Sequence, residues 1–344
     1  MWLFANAFGY RDNARYLYEY VKTHHPEITA VWISRSAGGI FRAKPSAQRY
    51  SLYGLWLQYR AGLFFSSTGM GDFVRFTSAG KTVIQLWHGI PIKKILLDSP
   101  ESLPFSNGSR SIQQAARFVL RLVLQRYTLV IASSEAVRRR LASAFGLPAE
   151  RVVVTGYPRH DILMENIAHE KARILYAPTW RPNLDSMLAI TQSICNKKFI
   201  EQVRLLGYEL HVALHPLNMQ LLHKIDPDVL DVLHLIENED INYVLSKSEI
   251  LITDYSSIAL DFIMLDRQVI LFTPDIGEYL QERGIYEEFE IIFRENGVQE
   301  AVEILEMIQT GKNAFPREYR NRYFQFFDSG ARKRIVSTAK HITH

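Results

Sequence analysis

The segment around residue 88 places several chemically active groups next to one another. Residues 83–87 are apolar enough to form a buried strand of a parallel sheet. An imidazole, a permissive glycine and a cation follow that strand directly, in the series His88, Gly89, Ile90, Pro91 and Lys93. Parallel sheets bind ligands beyond the carboxyl ends of their strands. A histidine in such a turn is also commonly structural, so both interpretations are open for His88 alone.

Further predicted strands end in residues that suit an anionic ligand. Serine hydroxyls and backbone N–H groups at a helix N-terminus hold phosphate, although Ser256 can equally be a plain N-cap. Arginine forks match phosphate geometry, and a protonated histidine can donate to a phosphoryl oxygen. Asp261, in an otherwise apolar helix, requires a partner such as a ribose hydroxyl or a cation. The candidate set here is Arg159, Thr179, Arg181, His215, Ser256, Ser257 and Asp261.

The elements that must position these residues alternate between strands and helices. Strand-like runs lie at residues 2–7, 28–34, 62–66, 83–87, 129–133, 152–155, 174–177, 209–214, 230–236, 250–253 and 269–272. Helical patterns lie at residues 14–23, 52–60, 111–127, 135–145, 199–206, 241–246, 258–265, 298–309 and 332–341. This alternation predicts parallel sheets with helices on both faces.

A polar segment at residues 162–171 interrupts the alternation, which then restarts. The 344 residues are enough for two domains of ordinary size. We therefore predict an α/β protein of two Rossmann-like domains facing a cleft, the GT-B architecture. We expect the domains at residues 1–161 and 172–315, with helices at 316–344 that pack back on the first domain.

Composition narrows the class of function. The net charge of +4 and the pI of about 9.0 suit an anionic substrate or membrane surface and do not require nucleic acid. A single cysteine excludes an internal disulfide and indicates a reducing cytosol, and there is no signal-peptide pattern or membrane-length apolar run. Neither half has a Gly-x-Gly-x-x-Gly turn, and no Asp-x-Asp ends a strand, so we expect neither a cofactor nor a metal.

Five short motifs occur along the chain. They are Trp-His-Gly-x-Pro-x-Lys, Gly-Tyr-Pro-Arg-x-Asp, Tyr-Ala-Pro-Thr-Trp-Arg, Leu-His-Pro-Leu and Ile-Thr-Asp-Tyr-Ser-Ser-x-x-x-Asp. Two shorter signatures follow them, Arg283-Gly284 before Tyr286 and Asp328-Ser329-Gly330 before Arg334. Over essentially the whole chain, this set resembles the CDP-glycerol glycerophosphotransferase family, the teichoic-acid and capsule glycerol-phosphate transferases. Departures from the family pattern at Ile90, His160 and Glu249 concern the acceptor and the polyol.

The resemblance implies an enzyme that transfers glycerol phosphate from CDP-glycerol to a hydroxyl of a lipid-linked saccharide or growing polymer, releasing CMP. It implies that the first domain carries the acceptor and catalysis, and that the second binds the nucleotide donor. His88 matches the family's catalytic base, and His215 matches a second essential histidine near the donor phosphates. Ser256, Ser257 and Asp261 match the nucleotide positions, with Arg159 and Thr179 as further donor contacts. Gly89, Ile90, Pro91, Lys93 and Arg181 complete the predicted binding residues.

Other functions fit the same framework. A ribitol-phosphate or nucleotide-sugar transferase shares the fold, and a UDP-sugar 2-epimerase belongs to another class on the same two-domain frame. An epimerase needs no acceptor, and its carboxylate acid/base set is not evident in this sequence. A catalytically inactive, lectin-like module is a further alternative, against which the intact His88 and His215 argue.

Residues 113–127 form a basic, acid-free amphipathic pattern with Arg117 and Arg121 on one side of a helix. Such a helix can lie in an anionic membrane interface, or it can pack in the core with its arginines reaching solvent. A lipid-linked acceptor favours the first alternative. We therefore expect a cytoplasmic enzyme attached peripherally to the inner face of the cell membrane, through this helix or the loop at residues 96–105.

Overall fold

The chain is described here from a computed structural model that covers residues 1–35, 45–99, 103, 108–167, 172–237, 239–282 and 284–343. It divides into two compact units. Unit 1 consists of Met1–Ile162 with Arg322–His344, and unit 2 consists of Leu163–Asn321. The last segment of the chain thus returns to the unit in which the chain began.

Each unit is built on a parallel sheet. The strands are β1 Trp2–Ala5, β2 Ala30–Ser34, β3 Ser46–Gln48, β4 Leu63–Ser66, β5 Thr82–Gln85, β6 Leu129–Ala132, β7 Val152–Val154, β8 Arg173–Tyr176, β9 Glu209–Val212, β10 His234–Leu235, β11 Ile250–Thr253 and β12 Gln268–Leu271. In the described part of unit 1, seven strands pair in the order β3-β2-β1-β4-β5-β6-β7, and in that of unit 2 five pair in the order β10-β9-β8-β11-β12. Strands β1, β4 and β11 are buried along their whole length, as expected for parallel sheets covered on both faces.

Helices connect the strands and cover the sheets. They are α1 Asp12–His24, α2 Leu52–Arg60, α3 Arg110–Leu124, α4 Glu135–Phe145, α5 Pro158–Glu165, α6 Leu184–Ile194, α7 Lys197–Leu205, α8 Pro227–Leu230, α9 Ile241–Lys247, α10 Ile258–Ile263, α11 Ile276–Glu282, α12 Glu287–Asn296, α13 Ala301–Thr310, α14 Arg317–Tyr323 and α15 Ala331–Thr343. Short 3-10 segments lie at Met70–Asp72, Arg75–Ser78, Leu96–Asp98, Ala149–Arg151 and Pro216–Lys224. None of the described helices combines the length and the apolar character that a bilayer crossing requires.

The predicted elements agree with this architecture except at a few places. The predicted helices at 52–60 and 135–145 and the predicted strand at 250–253 coincide with α2, α4 and β11. The sequence patterns missed β3, α5, α6, α8, α11 and α12, whereas α14 and α15 lie in the segment 316–344 that was expected to be helical. The prediction of a strand over residues 230–236 is wrong for most of its length. Helix α8, which Asp226 caps by accepting the Asp228 N–H at 3.0 Å, ends at Leu230; residues 231–233 form turns, and in this range only His234–Leu235 pairs as a strand.

The C-terminal helix α15 is fixed to unit 1 by a buried carboxylate. Asp161, which has no exposed surface, accepts the backbone N–H groups of Ala331 at 2.9 Å and Arg332 at 2.8 Å. The Arg332 guanidinium adds a third bond at 2.9 Å. Asp161 therefore accepts hydrogen bonds from the first N–H groups of α15. Its negative charge also interacts favourably with the positive end of the α15 helix dipole. Asp161, the last residue of the Gly-Tyr-Pro-Arg-x-Asp motif, thus has a structural role.

The same junction explains two other motif residues. Arg334 forms a bidentate pair with Asp328, with N–O distances of 2.9 and 2.8 Å, and donates to the Thr155 carbonyl at 2.8 Å. Gly156 has a φ of +78°, and a Cβ there would lie 3.1 Å from the Ala331 Cβ. Only glycine meets both demands without strain, so α15 can approach the end of β7 closely.

Candidate active site

The backbone around His88 is held in an unusual conformation. Strand β5 ends at Gln85, earlier than predicted, because Trp87 adopts a φ of +53° that no extended strand allows. The Gln85 side chain accepts the Trp87 N–H at 3.0 Å, and Gly89 follows with a φ of +141°. Positive φ at a bulky residue costs energy and persists only where the surroundings impose it. This turn presents the His88 side chain to solvent while its neighbours stay buried.

Two side chains from other elements impose that turn. Asn13 donates to the Leu86 and Trp87 carbonyls at 3.3 and 2.9 Å, and its amide oxygen accepts the Arg159 N–H at 3.0 Å. The Arg159 guanidinium donates to the His88 carbonyl at 2.7 Å. Arg159 is only 7% exposed, so in this arrangement it supports the histidine from inside unit 1.

The hydrogen bond of the His88 ring fixes which nitrogen carries the proton. Its Nδ1 lies 3.2 Å from the Ser67 carbonyl oxygen, which can only accept. The neutral ring therefore has its proton on Nδ1 and a lone pair on Nε2. Desolvation by surrounding protein atoms lowers the pKa of His88 although part of the residue is exposed; the Ser67 carbonyl and Asp12 act in the opposite direction, and Arg159 adds to the lowering. The ring is thus suited to accept a proton at neutral pH.

The residues that follow His88 form the floor of the turn. Gly89, Ile90 and Pro91 are buried, and the Pro91 carbonyl accepts an N–H of Arg140 at 2.7 Å. Ile90 is 1% exposed, so its side chain belongs to the core of unit 1. Lys93 is half-buried and interacts within the protein.

In unit 2, Arg181 joins two strand ends through a buried ionic network. Its Nε and one terminal nitrogen donate to Asp275 at 2.7 and 3.0 Å, and the other terminal nitrogen donates to Asp254 at 2.7 Å and to the Thr179 carbonyl at 3.0 Å. Burial opposes the charge of Arg181, but the two carboxylates outweigh it and raise its pKa. Most of the five donors of Arg181 are therefore committed inside unit 2.

The same carboxylates position Thr179 and Tyr255. Asp254 accepts the Thr179 N–H at 2.8 Å and also its hydroxyl, while Asp275 accepts the Tyr255 hydroxyl at 3.0 Å. Tyr255 stacks on Tyr279 with ring centres 3.7 Å apart, and burial raises the pKa of its phenol. The Thr-Asp-Tyr motif thus fixes the segment that leads into Ser256.

The two predicted serines begin α10. Ser257 occupies the N-cap position, where no side-chain cap bond is formed within the described chain, and the Ser256 hydroxyl accepts the Ile258 N–H at a long 3.5 Å. Plain N-capping therefore accounts poorly for this pair. Asp261, by contrast, has no exposed surface and interacts inside the protein, so its carboxylate does not face solvent.

His215 is exposed and is oriented by a backbone donor. It is the N-cap of the 3-10 segment Pro216–Lys224, where its Nδ1 accepts the Leu217 N–H at 3.2 Å. Because that contact requires a lone pair on Nδ1, a neutral ring carries its proton on Nε2. His215 therefore presents a donor, whereas His88 presents an acceptor.

Three residues of these networks were not identified from the sequence. They are Asn13 in the first turn of α1, and Ser67 and Asp275, which come shortly after β4 and β12. The argument that selected His88 and His215, a polar side chain beyond a strand end, would have selected Ser67 and Asp275 too.

Unit 1 also exposes apolar side chains on α2 and α3. In α3 only Leu124 is buried, while Phe118 and Leu122 are 62% and 49% exposed. Most of the α3 surface is therefore exposed, although α3 also contacts the 3-10 segment Leu96–Asp98 of unit 1. In α2, Tyr53, Trp56 and Tyr59 are 57%, 49% and 77% exposed, a feature that the sequence analysis missed. We call these five side chains the α2–α3 surface.

Comparison with known proteins identifies the family. The sequence profile described as CDP-glycerol:poly(glycerophosphate) glycerophosphotransferase matches residues 2–340. The chain belongs to this family. The predicted family and enzyme class, a polyol-phosphate transferase, are thereby confirmed, and the epimerase alternative is not favoured.

Relatives in the family are distant but extensive. The chain is 28% identical over 300 residues to the teichoic acid glycerol-phosphate transferase of Staphylococcus aureus (strain NCTC 8325 / PS 47), covering 81% of this chain and 75% of that protein. It is 27% identical over 381 aligned residues to the teichoic acid poly(glycerol phosphate) polymerase of Bacillus subtilis (strain 168), covering 97% of this chain. The match spans only 47% of the polymerase, about half of its length.

A solved structure supports the fold class. The wall teichoic acid polymerase TagF superposes with a TM-score of 0.79 at 20% identity, covering 100% of this chain and 89% of that chain. The predicted α/β class, with two Rossmann-like parts of GT-B type, is confirmed.

Proposed function

We propose that this enzyme transfers glycerol phosphate from CDP-glycerol to a hydroxyl of a lipid-linked saccharide or of a growing teichoic-acid or capsule polymer. The acceptor oxygen bonds to the phosphorus that carries glycerol. The bond between that phosphorus and the oxygen of CMP breaks, and CMP leaves with the electron pair. Little covalent work falls to the protein in such a transfer, so positioning and charge stabilisation dominate.

In this proposal, unit 1 acts on the acceptor. The observation that carries it is the His88 ring, whose Nδ1 is 3.2 Å from the Ser67 carbonyl and whose pKa is lowered by desolvation. Its Nε2 lone pair takes the proton of the attacking hydroxyl. A base with a pKa near or below neutrality is in the correct protonation state at the working pH. Arg159 and Asn13 act as positioning residues, since both hold the turn that presents the ring.

Unit 2 binds the donor in this proposal. The Nε2–H of His215 donates to a phosphoryl oxygen as negative charge develops there. Ser256 and Ser257 offer hydroxyls and backbone N–H groups to the diphosphate at the start of α10. Thr179 and Arg181 act through Asp254, which holds the segment before the serines. Buried Asp261 supports the site from within α10.

Product analysis tests the proposed reaction. The full chain is incubated with CDP-glycerol, CDP-ribitol or UDP-N-acetylglucosamine, with and without a lipid-linked disaccharide that carries one glycerol phosphate, and CMP or UDP is measured. We expect CMP release from CDP-glycerol that depends on the acceptor. A preference for CDP-ribitol would correct the polyol. Conversion of UDP-N-acetylglucosamine without acceptor, or turnover of no donor, would refute the transferase assignment for this chain.

We also propose that the enzyme acts at the inner face of the cell membrane, to which it attaches peripherally. The α2–α3 surface supports this, because Trp and Tyr side chains favour the membrane interface and Arg117 and Arg121 are exposed on α3. The 3-10 segment Arg75–Ser78 packs on α2, and its Arg75 carbonyl accepts an N–H of Arg126, two residues beyond the end of α3, at 2.7 Å. Of the loop at residues 96–105, positions 100–102, 104 and 105 lie outside the described residues.

Liposome co-sedimentation tests the attachment. We expect binding to anionic liposomes that weakens at high salt and in the Arg117→Glu, Arg121→Glu double variant. The double variant Lys198→Glu, Lys312→Glu is a matched control, because it makes the same charge change at exposed residues of unit 2. Equal binding by both double variants would remove α3 as the anchor without affecting the proposed reaction.

A further inference from the structure

A second cluster of titratable groups lies in unit 2, on one face of the paired strands β9 and β10. Glu209 and His211 are two residues apart in β9, so they point to the same face. His234 of β10 is the parallel partner of His211 in the strand register. The potential ligand atoms of these three residues all lie within 4.8 Å of one another. Glu209 is the first residue of β9, whereas His215 lies beyond the carboxyl end of β9.

We propose that Glu209, His211 and His234 form a binding site for a divalent first-row transition metal of the zinc class. Two imidazoles and one carboxylate are a donor set that zinc accepts, with water completing the coordination. Imidazole ligands disfavour Mg²⁺ and Ca²⁺, which require oxygen donors. The proposal is independent of the transfer reaction.

The buried histidine is the observation that points to a ligand. His211 is 7% exposed, and neither of its ring nitrogens has a hydrogen-bond partner within the described chain. The Glu209 carboxylate lies 3.6 Å from its Nε2, just beyond hydrogen-bond length. Buried polar atoms normally have a partner, and an exception requires an explanation such as a bound ion.

The distances are close to those of a filled site. Ligands at about 2.1 Å from a tetrahedral zinc are roughly 3.4 Å from one another. The Glu209 carboxylate is 3.6 Å from the Nε2 of His211 and 3.9 Å from the Nε2 of His234. The imidazoles stack with centres 4.6 Å apart and planes at 17°, so they must tilt to converge on one ion. The side chains of His234 and Glu209 are 51% and 63% exposed, which leaves room for that adjustment.

The charges around the three proposed ligands select for a metal ion that imidazole binds strongly. His211 is buried, and the neutral imidazole is the form of histidine that ligates metals. Arg173, the register partner of Glu209 on β8, opposes any cation. The ion must gain more from the two imidazoles than it loses to this charge.

Such an ion would secure the edge of the sheet. Strand β10 consists of two residues at the edge of the described five-stranded sheet; both pair with β9, and the Ile236 N–H that follows them donates to the Val212 carbonyl of β9 at 2.9 Å. A metal shared by His211 and His234 cross-links those strands. Since the ion binds the folded state, it also stabilises unit 2.

The test measures Zn²⁺ binding to the full chain, chelator-treated and without a polyhistidine tag, by competition with a chromophoric chelator. We expect one site that His234→Ala or Glu209→Gln weakens by at least about a hundredfold, since even outer-shell changes cost roughly 10- to 100-fold. His223→Ala is the matched control, because His223 is an exposed histidine of the same unit. His215→Ala shows whether the active-site histidine is the ligand.

Two further measurements make the result specific. The visible spectrum of bound Co²⁺ should report nitrogen and oxygen ligation in the wild type and change in His234→Ala. Hydrogen exchange of the peptide containing β10 should slow when Zn²⁺ is added. No Zn²⁺ binding by the wild type, or equal binding by the His234→Ala and wild-type proteins, would overturn the proposal.

Discussion

The exposed candidate histidines His88 and His215, one in each unit, are held in opposite ways. In unit 1, His88 donates from Nδ1 to a carbonyl, and a turn with positive φ at Trp87 presents it. In unit 2, His215 accepts at Nδ1 from the Leu217 N–H at the start of a 3-10 segment. In each histidine, one backbone contact at Nδ1 thus decides the state of Nε2. The Nε2 of neutral His88 keeps a lone pair, whereas the Nε2 of neutral His215 carries the proton. The same residue type thus offers an acceptor in unit 1 and a donor in unit 2 because the local backbone differs.

Replacing His88 should have the largest effect. We expect His88→Ala to lower kcat/KM by roughly 10²- to 10⁴-fold, because the attacking hydroxyl loses its base. His88→Gln should be as impaired, since an amide oxygen is not basic. Acceptor-dependent CMP release measures both, with His24→Ala as the exposed-histidine control from unit 1. Near-normal turnover by either folded His88 variant would contradict the base role.

Replacing His215 should cost less and respond to the choice of residue. We expect His215→Ala to lower kcat by about 10²- to 10³-fold, the effect of losing one donor to a developing charge. His215→Gln keeps an N–H donor and should recover part of that rate. A recovery by Gln at position 215 but not at position 88 would sharpen the comparison. Equal rates for the Ala and Gln variants of His215 would remove its donor role.

The support of the two sites should also differ in strength. Arg181 is buried between Asp254 and Asp275, so Arg181→Met leaves two carboxylates without their charge partner. We expect unit 2 to lose about 3–5 kcal/mol of stability, the cost of breaking a buried ion pair. Native-state hydrogen exchange in β11 and β12 measures this unit by unit. Lys197→Met breaks the exposed pair with Asp228 and should change little.

The smallest expected effect is a shift in pH dependence. His88 must be neutral to act as a base, and its lowered pKa places the acid limb of kcat/KM below the ordinary histidine value of about 6.5. The negative charge of Asp12 raises that pKa, so Asp12→Asn should move the acid limb to lower pH. Asparagine tolerates the φ of +59° at this position. An unchanged limb, or one that moves to higher pH, would contradict this electrostatic account.

The sequence predicted the fold class because hydrophobic periodicity is local and strong in the strands. It failed over residues 230–236, because the helix that Asp226 and Pro227 begin ends at Leu230, inside the apolar run that suggested a strand. The missed helix α12 has buried Phe289, Ile292 and Phe293 at helical spacing, so its pattern was readable. The missed α6 begins at Asn183, which caps it through two backbone N–H groups.

For the candidate site, strand ends indicated the positions but not the contacts. Which nitrogen of His88 carries the proton depends on Ser67, which is 21 residues away in the chain. The ionic partners of Arg181 are 73 and 94 residues away. The cap that Asp161 places on α15 spans 170 residues. Such pairings arise from tertiary packing, and a single sequence carries no local signal for them.

The return of the chain to unit 1 has a consequence for biosynthesis. Residues 163–321 are contiguous, whereas unit 1 also needs the segment that begins at Arg322. On the ribosome, the second-encoded unit is therefore the first whose sequence is complete. Until Ala331 and Arg332 emerge, the buried carboxylate of Asp161 lacks the amides and the guanidinium that it holds in the finished protein. The support of the His88 turn by Arg159, two residues before Asp161, is thus built next to a junction that closes only after residues 331 and 332 have been translated.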